Sequence, residues 1–483
     1  MLWIALELPA LPLQLVERAG RVREPLVVAE GSAQRPTVAC LNAAARSAGI
    51  REGQSVASAK ALAGELRVVA RNPASEREAL ERLAAWASQF TSMVSVEAQG
   101  IALELAASIR LFGGHAKLTA AIRHGIGELG FRAVLGIAPT PLAARLFARA
   151  EAQGIAVRGC LEEGELHARL SPLPLFLLDW PAETLARLAD LGVLRLRDTF
   201  ALPPEGLARR FGIVVASSLD RLLGRCPDPR IPYVPPPRFH SRLELPAEAE
   251  GIESLIFPLR RLLAEFEGAL RGQGAGTQRL TLTLVQQHGA RTQVALEFAS
   301  PEREADFILA IARERLSRLS LERPTIGLEL CADQLLPRPS RSLAWLPGES
   351  EQALDRERLI ERLVARLGRD RAFGIALGDD HRPEKDWKSG SCDKQPRPAR
   401  EAATDRPMWL LHRPQRLIAA EGRPTLQGEL EMQAGPERIE AGWWDGEEVQ
   451  RDYYVARNAR GETFWIYREH RDLAAWYLHG VFA

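Results

Sequence analysis

The side chains able to do chemistry are thinly and unevenly placed in this sequence. Cys40, Cys160, Cys226, Cys331 and Cys392 lie far apart, with no CxxC pair among them. That spacing argues against a zinc site or a disulfide framework and fits a reducing cytoplasm. Acids interrupt two apolar runs. Glu7 stands inside Ile4-Ala5-Leu6-Glu7-Leu8, and Glu104 ends Gln99-Gly100-Ile101-Ala102-Leu103-Glu104, with Glu97 just before it. A hard ion such as Mg²⁺ requires carboxylate oxygens at closely set positions, so the chemistry depends on which of these acids converge. Aromatic residues crowd the tail, at Trp443, Trp444, Tyr453, Tyr454, Trp465, Tyr467, Trp476 and Tyr477. Such a stripe forms a small domain's core more often than a base-stacking platform.

The elements that must position these groups follow from periodicity. Residues 2–8 read as a buried strand; an acid inside the run, prolines at 9 and 12 and the lack of a basic segment argue against a signal peptide. No stretch reaches the ~18 to 20 apolar residues that a membrane span needs. Helical spacing marks 76–90, 115–129 and 141–152, and short strands fall at 93–96, 101–105 and 133–137. Residues 170–223 read as short helices broken at Leu191-Gly192 and Phe211-Gly212. Six prolines between 226 and 238 predict a semi-extended linker. Beyond it come a strand at 242–245, a helix at 252–270 that Pro258 should kink, and alternating strands at 279–285 and 292–298 joined at His288-Gly289. A helix from an N-cap at Ser300-Pro301 to 319 and a strand at 326–330 complete a βαββαβ unit. A short helix at 359–367, a mobile loop at 379–405 and strands at 451–456 and 462–468 follow. Mixed strands and helices of this kind suggest an α/β or α+β fold, and the chain has room for several domains. The 63 basic and 62 acidic side chains leave a net charge of +1, so any nucleic-acid affinity must come from local patches.

Several fragments together make the first 330 residues resemble the Y-family DNA polymerases of the UmuC and DinB type. Cys40-Leu41-Asn42-Ala43-Ala44-Ala45-Arg46 followed by Gly49-Ile50-Arg51-Glu52-Gly53-Gln54 is similar to the family's fingers motif, and Gly136-Ile137-Ala138-Pro139-Thr140-Pro141-Leu142-Ala143-Ala144-Arg145 to its palm motif. The resemblance implies a palm and fingers over 1–165 (fingers about 22–78), a helix–hairpin–helix thumb over 166–226 with Gly192 and Gly212 in its DNA-binding hairpins, and a proline-rich linker over 227–239. It further implies a ferredoxin-like little finger over 240–335, a clamp-motif and linker segment over 336–405, and a small aromatic-rich interaction domain over 406–483. These polymerases hold two metal ions on one Asp of the first strand and an Asp-Glu pair of a hairpin. Here those positions are occupied by Ala5, Gln99 and Gly100, leaving Glu7 as a residual acid and implying that the Mg²⁺ site, the family's cofactor, is lost. The triphosphate-contacting Tyr is replaced by Ala43, whereas Arg46 and Arg145 remain at phosphate-contacting positions.

That pattern, together with the endings around Trp443-Trp444, Tyr453-Tyr454 and Trp476-Tyr477, is similar to the catalytically defective branch of the family found in bacterial damage-induced mutagenesis cassettes. The resemblance implies a cytoplasmic, nucleoid-associated adaptor that binds DNA without sequence preference. Its implied protein partners are the sliding clamp, an error-prone DnaE-type polymerase and a RecA-like accessory protein. A clamp-binding peptide would fall at Ser342, Leu343, Trp345 and Leu346, with Asp333-Gln334-Leu335-Leu336 as a competing position. Two other readings stay open: a weak polymerase using Glu7, Glu97 or Glu104, and a protein-interaction module that never touches DNA.

Overall fold

A computed structural model describes the chain apart from residues 21, 33, 322, 339–348, 369–370, 379, 391–405, 421, 471 and 483. It divides into two compact units, Met1–Gly348 and Glu349–Ala483, and is α+β throughout.

In the first unit a four-stranded sheet is built from β1 (Trp3–Glu7), β5 (Val94–Val96), β6 (Gly100–Glu104) and β7 (Val134–Ala138), in the order β5-β6-β1-β7. Strand β1 is buried at every position, so its side chains supply two different cores. Ile4 and Leu6 pack with α4 (Pro73–Ala87) and α5 (His115–Glu128), whereas Trp3 and Ala5 pack with α6 (Pro141–Ala152). The alternation is the ordinary consequence of a period of two along a strand. Helix α4 begins three residues earlier than periodicity alone suggests, because Asn72 caps Ala74 and Ser75 and Pro73 takes the first turn.

The fingers insert after α1 (Leu11–Glu17). They comprise β2 (Leu26–Glu30), β3 (Thr37–Leu41), α2 (Ala43–Ser47), α3 (Val56–Leu62) and β4 (Arg67–Ala70), with β2 central and parallel to β4. The thumb follows α6 as α7 (Glu163–Leu170), α8 (Ala182–Asp190), α9 (Leu196–Phe200), α10 (Pro204–Phe211) and α11 (Ile213–Leu222). The proline-dense segment then runs past the edge of the palm sheet, where the Tyr233 N–H donates to the Val94 carbonyl at 2.7 Å.

The little finger is β8 (Phe239–Ala249), α12 (Ile252–Gly272), β9 (Ala275–Gln286), β10 (Arg291–Glu302), α13 (Ala305–Leu316) and β11 (Thr325–Ala332), with β12 (Leu336–Pro337) added to β9. The chain order is the expected βαββαβ, but the sheet order is β10-β9-β11-β8: the last strand, β11, lies between β8 and β9, where a ferredoxin-like sheet would place the third strand, β10. Two further details differ from expectation. Helix α12 continues through Pro258 to Gly272, because its apolar face is fully buried and tertiary packing outweighs one lost hydrogen bond. Ser300-Pro301 does not open a helix; it extends β10 to Glu302. The Glu302 carboxylate accepts the backbone N–H groups of Arg303 and Glu304 at 2.6 and 2.9 Å and so turns the chain out of the strand, while Glu267 of α12 accepts the first helical N–H, that of Ala305, at 3.1 Å. Helix α12 packs closely on α4. A Cβ at Gly268 would lie 2.1 Å from the Trp86 ring. Beside that contact Glu265, 1% exposed, takes the buried Arg18 guanidinium and the Ser241 hydroxyl, the latter at 2.8 Å.

The second unit holds α14 (Glu349–Leu367) and the hairpin of β13 (Gly374–Leu377) and β14 (Trp387–Gly390). A six-stranded antiparallel sheet follows, from β15 (Trp409–Ala420), β16 (Arg423–Thr425), β17 (Glu431–Ala441), β18 (Val449–Arg457), β19 (Thr463–Glu469) and β20 (Asp472–Val481), in the order β16-β15-β20-β19-β18-β17. Helix α14 is longer than the 359–367 expected, and part of the loop expected at 379–405 is strand β14. Tyr453, Trp465, Tyr467 and Trp476 are core residues, as the aromatic stripe suggests, whereas Trp443 and Trp444 are exposed.

Candidate functional site

The register of β1 and β6 fixes what can occupy the site. Ala5 lies opposite Ala102, and Glu7 opposite Gly100, so all four share one face of the palm sheet. Ala5 is 3% exposed and packs in the same core as Ala143, Ala144 and Phe147 of α6. At Gly100 the strands leave no room for a side chain: a Cβ would stand 1.8 Å from the Leu6 carbonyl oxygen and 3.2 Å from Glu7 Cα. Gln99 is exposed in the turn between β5 and β6, and its carbonyl accepts the Leu8 N–H at 3.0 Å. The three positions therefore meet different fates, one buried under a helix, one closed by backbone and one in solvent.

The acids nearby are tied to arginines. Glu7 is buried beside Arg149, whose Nε lies 3.3 Å from its Oε1. Arg149 also donates to the Leu177 carbonyl at 3.2 Å and bonds Asp179. One helical turn earlier, Arg145 reaches Asp179 at 2.6 Å and Glu97 at 3.7 Å. Glu97 in turn takes Arg230 of the linker at 3.3 Å, and Arg230 holds Asp228 at 2.7 Å. Three guanidinium groups thus serve four carboxylates and join β1, the turn after β5, α6, the stretch before α8 and the linker. Burial pushes the Glu7 carboxyl above its ordinary pKa, and the Arg149 and Arg145 charges pull it back only in part. Glu104 is structural, accepting the Leu2 and Ala106 N–H groups at 3.3 and 3.1 Å.

These donors do not fit a pair of divalent ions. Ala5 and Gly100 offer no oxygen, and the carboxylates of Glu7 and Glu97 already face fixed cations that would repel a metal. Among the described residues no group of three or more His, Cys, Asp or Glu is placed to hold a metal ion.

The remaining candidates are scattered over the first unit. Arg46 sits on α2, which is capped by Asn42, and is 69% exposed with Glu52 3.7 Å away. It lines an open cleft of about 1110 Å³ whose walls also carry Arg23, Arg132, Arg261 and Phe257. Arg145, by contrast, is 12% exposed and engaged in the network above. Gly192 and Gly212 take φ of +76° and +94° in the two thumb hairpins, conformations that suit glycine. Ser342, Leu343, Trp345 and Leu346 lie outside the described residues. At the competing position, the Gln334 carbonyl accepts the Thr277 hydroxyl at 2.8 Å and Leu336 pairs with Gly276, so that segment belongs to the little-finger sheet. Among the described residues no helix is long and apolar enough to cross a membrane.

Sequence reasoning missed Arg149, Asp179, Asp228 and Arg230. Arg145 and Arg149 are four apart on one helix, a spacing that places them on one face. That signal could have paired Arg149 with a palm acid. Asp179 and Arg230 carry no comparable local mark.

Residues 14–149 match the impB/mucB/samB family. Two curated relatives, both Protein ImuB of Caulobacter vibrioides strains, are 27% identical over 463 residues, covering 90% of this chain and 100% of each relative. Among solved structures, a ternary complex of Dbh DNA polymerase is 18% identical with a TM-score of 0.41, and DinB from Sulfolobus solfataricus is 17% identical with a TM-score of 0.39. Each covers 70% of this chain and 99% of the other. Over 90% of its length the chain is therefore similar to Protein ImuB, and its residues 14–149 match the impB/mucB/samB family.

Proposed function

We propose that this chain is a non-catalytic, polymerase-like adaptor in DNA-damage-induced translesion synthesis, binding DNA and linking the sliding clamp to an error-prone DnaE-type polymerase with a RecA-like accessory protein. The ImuB likeness supports the polymerase-like, damage-related role. The observation that carries the loss of catalysis is Gly100, where a carboxylate cannot be accommodated without moving the Leu6 backbone. DNA phosphates would meet the arginine-lined cleft around Arg46 and the hairpins at Gly192 and Gly212. Arg145, held by Asp179 and Glu97, is reserved for structure.

Primer extension with Mg²⁺ and with Mn²⁺ tests the reading. No incorporation is expected, and none from the A5D/Q99D/G100E triple variant either. Robust extension abolished by Glu7→Ala would instead establish the alternative, a low-efficiency polymerase using residual acids. Binding to primer–template DNA is expected to weaken steeply with salt as counterions compete; binding indifferent to salt would favour a protein-interaction module. Leu343→Ala with Trp345→Ala is expected to abolish clamp pull-down while leaving DNA binding intact, and unchanged pull-down would move the clamp site toward Gln334.

A further inference from the structure

Trp443 is 78% exposed and Trp444 54% exposed, side by side with ring centroids 5.5 Å apart and planes at 83°. Two adjacent tryptophans in solvent cost a protein a large apolar surface, and such residues are the commonest anchors of protein interfaces. Their loop is rigidly built. Arg382, 2% exposed, binds Asp445 through two nitrogens at 2.6 and 3.0 Å and donates to the Glu447 carbonyl at 3.1 Å. Its far side is held by Asp380 at 2.6 Å, and its guanidinium lies 5.6 Å from the Trp444 ring. Lys385 adds bonds to Asp445 at 3.1 Å and to Glu447 at 2.6 Å. The turn glycines Gly442 and Gly446 take φ of +85° and +80°, and a Cβ at Gly442 would strike the Arg382 guanidinium at 2.6 Å. A loop fixed in this way loses little entropy when it docks.

The surroundings of the pair choose the partner. Two cations, Arg382 and Lys385, reach the loop, and the acids at and beneath it outnumber them: Asp380, Asp445 and Glu447 bind the two, and Glu440 and Glu448 flank them in sequence. A phosphate backbone would be repelled by that rim, whereas a cationic protein surface would be attracted. We infer that the Trp443–Trp444 loop is a preformed docking knob for a protein that offers an apolar pocket rimmed by lysine or arginine. The inference rests on the adaptor reading and goes beyond it by naming the contact.

The test uses the full chain, with the purified sliding clamp, RecA-like protein and DnaE-type polymerase as separate probes and a dT oligonucleotide as the nucleic-acid probe. One protein probe is expected to bind, and W443A/W444A to weaken that binding thirtyfold or more with the thermal transition unchanged. The single variant W443A, which leaves the Arg382 stack in place, is expected to weaken it tenfold. E447K/E448K is expected to weaken it and to flatten its salt dependence. Undiminished protein binding by folded W443A and W443A/W444A would overturn the docking knob and leave the adaptor reading standing. Loss of dT binding instead would make the loop a base-stacking site. If the unaltered chain binds none of the three proteins, the adaptor reading fails and the inference falls with it.

Discussion

Two of the arginine networks, one in each unit, do opposite things with similar chemistry. Around Glu7 the guanidinium groups of Arg145, Arg149 and Arg230 turn inward and tie the nearby acids together. Around Asp445, Arg382 turns its charge under a surface loop and pushes two tryptophans outward. The first network makes a region chemically quiet; the second makes a region adhesive. What separates them is the apolar neighbour. Ala5 and Phe147 are buried in the core that flanks the first network, whereas Trp443 and Trp444 stand above the second.

The comparison breaks most visibly at Arg149. Arg149→Ala leaves Glu7 with a 6% exposed carboxylate and no hydrogen-bonding arginine, and is expected to cost about 3 kcal/mol of unfolding free energy, read from urea denaturation of the full chain. The same operation on the second network has a local effect. Asp445→Asn is expected to speed amide exchange across 442–447 at least tenfold while leaving the palm's exchange unchanged; a global loss of protection would make that network a keystone rather than a pedestal. The smallest effect sharpens the first network. Glu7 has a raised pKa in the folded state, so its stability term is fully present below its unfolded value of ~4.5 and is lost as pH rises through the folded value. Glu7→Gln, which removes that titration, is expected to gain stability relative to the unaltered chain at neutral pH, and the difference should vanish in acid. A constant difference from pH 4 to pH 8 would mean that the Arg149 bond, not desolvation, governs Glu7. At the acidic end Asp445 behaves oppositely: its hydrogen bonds from Arg382 hold it well below the usual carboxylate range. The loop should therefore keep its geometry above pH 4 and loosen only in stronger acid, as amide exchange would show.

Much of the fold was legible in the sequence because its signals are local. The alternation in β9 and β10 and the turn at His288, whose φ is +58°, state a hairpin outright. The identity of residues 5, 99 and 100 could likewise be read directly. What could not be read is where charges end up. Asp179 lies thirty positions beyond Arg149 and Arg230 far along a proline-dense linker, and only packing of the thumb and linker on the palm brings them to Glu7 and Glu97. Residues 300–305 show the same limit at smaller scale: a Ser-Pro pair is a good helix start, but the strand runs on to Glu302 and the first helical N–H, that of Ala305, is taken by Glu267 from another helix.

Gly100 also bears on which changes this chain can accept. The Leu6 carbonyl stands where a side chain at position 100 would begin. Every residue larger than glycine would meet that backbone oxygen, whatever its charge, so the position is closed to single substitutions by geometry alone. Exposed loops meet no such obstacle, and sequence variation is expected to collect in them rather than along β1 and β6.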